Sequence, residues 1–391
     1  MLSSTTLFAI LSALALTSVQ SAPADKDSLN YLANKAGKRY LGTAIQAYQL
    51  ADTRYTQILE SQFDAITPEN EMKWEVVEPT EGNFDFSGTD KIVAEAKKTG
   101  SIVRGHNICW DSQTPSWVTS ITDPTRLKQV LKNHIDAVIG RYKDDLAYFD
   151  IVNEPLNENG TYKSNVWYNV LGESYIETAL RYAHEVAPNM KLCINDYNIE
   201  TVNAKSKAMA TLSAKLLAKN APLHCIGVYS VRFGSSIHHL TERVSLIGFE
   251  SHFIGGSTPK DIPASMKQFS DLGLEVPMTE LDVRIPVNGN DQPANATVAK
   301  EQVDDYYTSI AACLGNEMCP GVSIWQFADP TSWIPGVFKG ANYVALFPVV
   351  YSYGAALLYD AEYQPKSTYY VVQQALKDGK KTATHFKGCK V

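Results

Sequence analysis

The sequence predicts an α/β fold, a parallel sheet closed into a single (β/α)8 TIM barrel. Three observations predict it. Eight short runs of strand character alternate with longer runs of helical period. No glycine-rich phosphate loop follows an early strand, which disfavours an open, doubly wound sheet. Polar side chains collect where seven of the strand runs end, and a barrel of this kind carries its function there.

In chain order the strand runs are 40–46, 65–67, 102–108, 148–152, 191–195, 246–251, 276–279 and 321–325. The clearest helical run, 125–142, repeats apolar residues at Leu127, Val130, Leu131, Ile135, Val138 and Ile139. That is the 3.6-residue period, and Asp123-Pro124 is its start signal. The runs 174–186, 204–219, 263–272 and 302–314 are similar. No internal repeat and no Ser/Thr/Pro-rich linker divides the chain, so 22–391 reads as one domain.

The chain has 391 residues, of which 45% are hydrophobic, enough to bury a large core. Its formal charge of −7 argues against nucleic acid and against an anionic membrane surface as partners. A neutral polymer suits it better. Aromatic residues reach 10%, which fits a surface that stacks on sugars and fits equally well a Tyr-rich core. Residues 1–21 read as a signal peptide. The apolar run from Leu7 to Leu16 is too short to span a bilayer, and small residues follow near Ser21. The expectation is a secreted, extracellular monomer.

Export permits disulfides. Cys313 and Cys319 flank Gly315 and Asn316 and are expected to close a small loop. Cys109 and Cys193 fall inside strand runs and are expected as buried thiols. Cys225 and Cys389 stay open. Asn159 and Asn295 begin Asn-x-Thr sequons in loop-like sequence, so both are candidate glycan sites. No His, Cys or Asp cluster has metal-ligand spacing, and neither metal nor cofactor is expected.

Two carboxyls stand out at the strand ends. Glu154 follows Asn153 at the end of the fourth run, and Glu280 follows Thr279 at the end of the seventh. A lone Glu is ordinarily a solvated surface charge. Two Glu in apolar strands on opposite sides of one barrel can flank a glycosidic bond. Its hydrolysis needs an acid for the leaving oxygen and a carboxylate on the opposite face.

At these residues the sequence resembles glycoside hydrolase family 10, the barrel xylanases. The blocks that carry the resemblance are TPENEMKW, RGHNICW followed by SQTPSWV, DIVNEP, INDYN, GFESHF, TELDV and IWQFADPTSW, from about Leu41 to Leu376. The resemblance implies endo-hydrolysis of β-1,4-xylosidic linkages with retention, and xylan or xylo-oligosaccharides as substrate. It implies Glu154 as acid/base and Glu280 as nucleophile. His252 is expected to hydrogen-bond Glu280, with Asp282 selecting the tautomer of His252, so that Glu280 is ionised while Glu154 keeps its proton. Asn153 is expected at the sugar 2-hydroxyl. His106, Lys73, Gln113 and Trp110 are expected around the sugar at the cleavage point. Glu69 and Asn70 are expected at the next xylose. Trp325 and Trp333 would wall the site against a hydroxymethyl group, and Tyr197 would face the leaving group. His134 and His184 lie in helical runs and are expected to be structural or exposed.

Three departures from the family pattern stand out. Asp111 replaces the usual His after Trp110. Residues 228–248 look inserted, and so do 341–353. The segment 228–248 has no clear period and ends by nearly repeating Cys225-Ile-Gly227 as Leu246-Ile-Gly248. It is expected to bulge on the barrel face away from the strand ends. It also fits an unspliced intron, since a Val codon begins with GT. Rival functions are another β-1,4-glycanase and a polysaccharide-binding barrel without catalysis. The second would be expected to have lost one of the two carboxyls.

Overall fold

The structure, a computed structural model, describes residues 25–223, 225–233, 236–288, 291–338 and 352–381, with 225–233 and 236–245 by backbone alone. The expected signal peptide, residues 341–351 and Cys389 lie outside the described residues, as does the Cys225 side chain.

Eight strands form the barrel: β1 Tyr40–Ile45, β2 Ala65–Pro68, β3 Ile102–Cys109, β4 Tyr148–Asn153, β5 Lys191–Asp196, β6 Ser236–Phe249, β7 Met278–Val287 and β8 Gly321–Ile324. Each pairs in parallel with the next, and β8 pairs with β1 to close the ring. The helices between them cover the outside of the barrel. Pro124–Tyr142 is capped by Asp123, whose carboxylate accepts from the Arg126 N–H at 2.6 Å. It buries the same six apolar residues that gave its period, together with His134 and Tyr142. His134 is structural: it stacks on Trp74 at 3.7 Å, and its Nδ1 lies 2.7 Å from Glu78 Oε2. Each fully buried Leu or Ile on such a face contributes about 1.5–3 kcal/mol. Among the described residues no helix is long and apolar enough to cross a membrane.

Two strands differ from their sequence reading. In β6 only Leu246–Phe249 pairs with β5. The residues before them pair antiparallel with Cys225–Phe233, from Cys225↔Val244 to Phe233↔Ser236. The inserted segment is therefore a two-stranded arm, although its sequence shows no strand period. A ribbon ordered by its own ladder does not need the alternation that a half-buried strand must show. The copy Leu246-Ile-Gly248 feeds the barrel, and the arm joins it at the N-terminal end of that strand.

The other difference is β7, which runs eight residues past Thr279 rather than ending there. Its outer half pairs in parallel with His252–Ile254 and antiparallel with Ser352–Gly354. Leu281, Val283, Ile285 and Val287 alternate along this stretch with Asp282, Arg284 and Pro286.

Gly248 lets β6 approach the side chains of β5 and β3 closely. A Cβ there would overlap Asn195 Oδ1 on β5 and press on the Arg104 guanidinium. Cys313 and Cys319 form the expected disulfide, with Cα atoms 5.3 Å apart, joining the end of the Ala296–Gly315 helix to the approach to β8. Cys109 and Cys193 are buried thiols. Asn295 caps that same helix through Val298 N–H at 3.0 Å, and Asn159 lies exposed in a turn. Replacing both Cys313 and Cys319 by Ala should lower unfolding free energy by about 2 kcal/mol, as expected for a loop this short. Urea titration at neutral pH reads this directly, and an unchanged midpoint would show that the crosslink constrains nothing.

Candidate active site

A cleft of about 790 Å³ opens at the C-terminal ends of the strands. It is lined by thirteen of the fourteen residues singled out for catalysis or substrate binding: Glu69, Asn70, Lys73, His106, Trp110, Gln113, Asn153, Glu154, Tyr197, His252, Glu280, Trp325 and Trp333. The fourteenth, Asp282, is fully buried behind His252.

The register of β7 builds the Glu280 side. Asp282 pairs with His252, which sets the two side chains next to each other. His252 Nδ1 donates to Asp282 Oδ2 at 2.9 Å, and Nε2 faces Glu280 Oε2 at 3.3 Å. Trp333 Nε1 donates to the same Asp282 oxygen at 2.8 Å, which fixes the indole against the imidazole at 5.0 Å. From the other side Asn195 Nδ2 donates to Glu280 Oε1 at 2.8 Å.

Burial alone would raise the Glu280 pKa. The His106 and His252 imidazoles and the Arg104 guanidinium outweigh it and bring the carboxyl down to about 2. Burial lowers His252, but the Asp282 and Glu280 carboxylates carry it up to about 10. The two carboxylates favour the imidazolium form of His252, whose nitrogens face Asp282 and Glu280. Asp282 accepts from Nδ1 and so fixes which nitrogen faces Glu280.

Glu154 stands at the end of β4 with φ 50°, in the left-handed region. Gln113, Asn198, Ser251 and Gln326 share that region at other strand ends, at a cost of about 1–3 kcal/mol each. Lys163 Nζ donates to Glu154 Oε2 at 2.7 Å, and Asp111 Oδ2 lies 3.4 Å from the same ammonium. Asn153 Nδ2 reaches Glu154 Oε1 at 3.4 Å, while Asn153 Oδ1 accepts from Asn195 at 2.9 Å. Asn195 thus links the two carboxyl sides.

Along β1 to β3 the cleft carries hydroxyl-binding groups. Glu69 accepts from Gln46 at 3.0 Å and from Gln326. Lys73 donates to Asn70 at 3.0 Å and to Gln113 at 2.8 Å, and its ammonium lies 5.1 Å from the Trp110 ring centre. His106 Nδ1 donates to Asp150 at 3.0 Å, and its ring meets Trp325 edge-on at 5.4 Å. At the opposite end the Tyr197 ring lies over Lys205, 3.4 Å from its ammonium, and Lys205 is paired with buried Asp196 at 2.8 Å.

Several contributors escaped the sequence reading. Asn195, inside the INDYN block, is the hub, yet nothing in its own neighbourhood marks it. Glu250 lies in GFESHF and is fully buried, with Asn195 Nδ2 at 3.0 Å. Burial together with the nearby Glu280 and Glu154 carboxyls holds its pKa well above the usual range. Lys163 and the exposed Tyr48 also line or serve the cleft. Ligand atoms of Glu250, His252 and Glu280 lie within 4.8 Å of one another, close enough for one cation. Both His252 nitrogens already face carboxylates, Asp282 and Glu280.

A family model described as "Glycosyl hydrolase family 10" matches residues 28–375. The chain belongs to glycosyl hydrolase family 10. It is 64% identical to an endo-1,4-beta-xylanase of Naganishia albida, covering 100% of both chains. It is 38% identical to an endo-1,4-beta-xylanase of Agaricus bisporus, over 80% of this chain and 87% of the other. Native xylanase 10B from Thermotoga maritima superposes with a TM-score of 0.78 at 32% identity, over 90% of this chain and 99% of that one. A glycosylated family 10 endo-beta-1,4-xylanase of Gloeophyllum trabeum gives a TM-score of 0.76 at 32% identity, over 90% and 99%. These family 10 neighbours share the closed barrel on which the cleft is built.

Because His252 keeps Glu280 ionised, His252→Asn should move the acid limb of the kcat/KM profile to higher pH. It should also lower turnover about tenfold or more, the scale of one charged hydrogen bond. An acid limb that stays in place would show that Glu280 does not depend on the imidazolium.

Proposed function

We propose that this family 10 enzyme cleaves internal β-1,4-xylosidic bonds of xylan by double displacement, with Glu280 as nucleophile and Glu154 as acid/base. The observation that carries the reading is the contrast between two carboxyls in one cleft. Glu280 is buried and held anionic by cationic neighbours. Glu154 stands at the end of another strand and lines the same cleft.

In the first step Glu280 attacks the anomeric carbon and the bond to the leaving sugar breaks. The leaving oxygen takes the Glu154 proton. In the second step Glu154, now a carboxylate, removes a proton from water. That water attacks the anomeric carbon and releases Glu280. Asn153, held by Asn195, supports the sugar 2-hydroxyl. Trp325 and Trp333, braced against His106 and His252, leave little room for a hydroxymethyl group, which favours xylose over glucose. His106, Lys73 and Gln113 hold the sugar at the cleavage point, Glu69 and Asn70 hold the next xylose on the non-reducing side, and Tyr197 faces the leaving group. The open cleft suits a polymer threaded through its middle. Residues 1–21 direct the chain out of the cell, and it acts alone on xylan and xylo-oligosaccharides.

Retention requires the carboxyls to stand about 5–5.5 Å apart, with no space for direct attack by water. NMR of a fresh xylo-oligosaccharide digest should therefore show the β-anomer first. An initial α-anomer would overturn the mechanism. Activity on carboxymethylcellulose or mannan exceeding that on xylan would favour the rival glycanase.

The two glutamates should also separate kinetically. Glu280→Ala should abolish turnover on every substrate. Glu154→Ala should lose far more on xylan than on an aryl xylobioside whose leaving group needs no proton, and azide should restore part of the aryl activity as a β-azide. Equal losses on both substrates would remove Glu154 from the acid's place.

A further inference from the structure

Glu154 must serve as an acid in one half of the reaction and as a base in the other. Its nearest charged neighbour works for only one of these. An ammonium at 2.7 Å favours the carboxylate form, which suits the base and opposes the acid. Lys163 is held firmly in that place. It follows Glu154 on a tight loop in which Lys163 N–H donates to Pro155 O at 2.9 Å and Asn157 N–H donates to Thr161 O at 2.7 Å. Asp111 answers this charge from the end of β3, 3.4 Å from the same ammonium. Asp111 is also the residue that departs from the family pattern.

We propose that Asp111 and Lys163 are positioning residues for Glu154, an opposed pair in which Asp111 offsets the Lys163 charge so that Glu154 can hold and release its proton in turn. The inference rests on the reading of Glu154 as acid/base. The other groups facing this corner are Tyr197 and Asp196 at the end of β5, with Lys205 paired to Asp196 behind them. Lys73, Glu250 and Glu280 face Glu154 from across the cleft. Of all these, only Lys163 and Asp111 form a chain of direct ion pairs ending on Glu154 among the described residues. The side chains of Lys163, Glu154 and Asp111 are 13%, 16% and 31% exposed, so water screens the pair only in part. An ordinary surface ion pair would add at most a little stability and leave the chemistry alone.

The two residues act with opposite sign, which makes the inference testable. Removing Asp111 leaves the ammonium unopposed, so Glu154 gives up its proton sooner. The basic limb of kcat/KM on xylopentaose should then move to lower pH in Asp111→Asn, by about 0.5–1 unit for charges this close and partly screened. Removing Lys163 does the reverse, and Lys163→Met should move that limb to higher pH. Lys163→Arg keeps the charge and should bring the limb back towards the wild-type position. Thermal melts confirm that each variant is folded. If Lys163→Met does not fold, Asp111→Asn against wild type decides alone. Limbs that stay in place, or that move in the same direction in both variants, overturn the pair. A parallel Glu154→Ala enzyme separates this from the underlying reading. Leaving-group dependence in Glu154→Ala with unmoved limbs overturns only the pair, whereas its absence overturns the acid/base assignment itself.

Discussion

The structure turns on one electrostatic requirement: a carboxylate taken out of water must be matched by its surroundings. Glu280 is 5% exposed, and burial alone would protonate it. The barrel answers with hydrogen-bond donors and positive charge from separate strands. Asn195 comes from β5, Arg104 and His106 from β3, and His252 follows β6. None of these is near Glu280 in sequence. Only a closed ring of strands brings them to one point, so the closure of the sheet and the ionisation of Glu280 are the same structural fact.

Asn195 carries this matching across the cleft. Its amide nitrogen serves Glu280, Glu250 and Asn153, and its oxygen accepts from Thr279 at 2.7 Å and Arg104 at 3.1 Å. A short side chain with donors at one end and an acceptor at the other can hold two halves of a site in register. That requires close approach of the neighbouring strand, which explains glycine at position 248. The Arg104–Asp150 pair beneath completes a polar layer in which each charge has a partner within the barrel.

Much of this was legible in the sequence, and the gaps have physical causes. The strand runs and the Pro124–Tyr142 helix declared themselves because burial imposes a period. The strand-end residues declared themselves because polar side chains at the ends of apolar runs call for an explanation. The outer half of β7 was missed although Leu281, Val283, Ile285 and Val287 alternate with Asp282, Arg284 and Pro286, because the polar strand end at Glu280 was taken as the strand's stop. The pairing of the arm at 225–244 was missed because a ribbon held by its own ladder needs no buried face. The roles of Asn195 and Glu250 depend on contacts with other strands 42 to 85 residues away, which no local pattern records. Lys163 read as an ordinary loop lysine until its loop was seen to fold back on Glu154.

The left-handed backbone at the cleft rim has a consequence for heat tolerance. Glu154, Gln113, Ser251 and Gln326 hold conformations that glycine would adopt at lower cost. Exchanging them would relax the chain only by giving up the side chains that line or support the site. Asn220 has φ 50° and Tyr363 has φ 59°, and both lie away from the cleft lining. The same backbone geometry therefore divides the molecule into two kinds of position. At the rim, tension in the chain is the condition for chemistry and has to be kept. At sites such as Asn220 it serves no reaction, and a more thermostable form of this enzyme has room to release it.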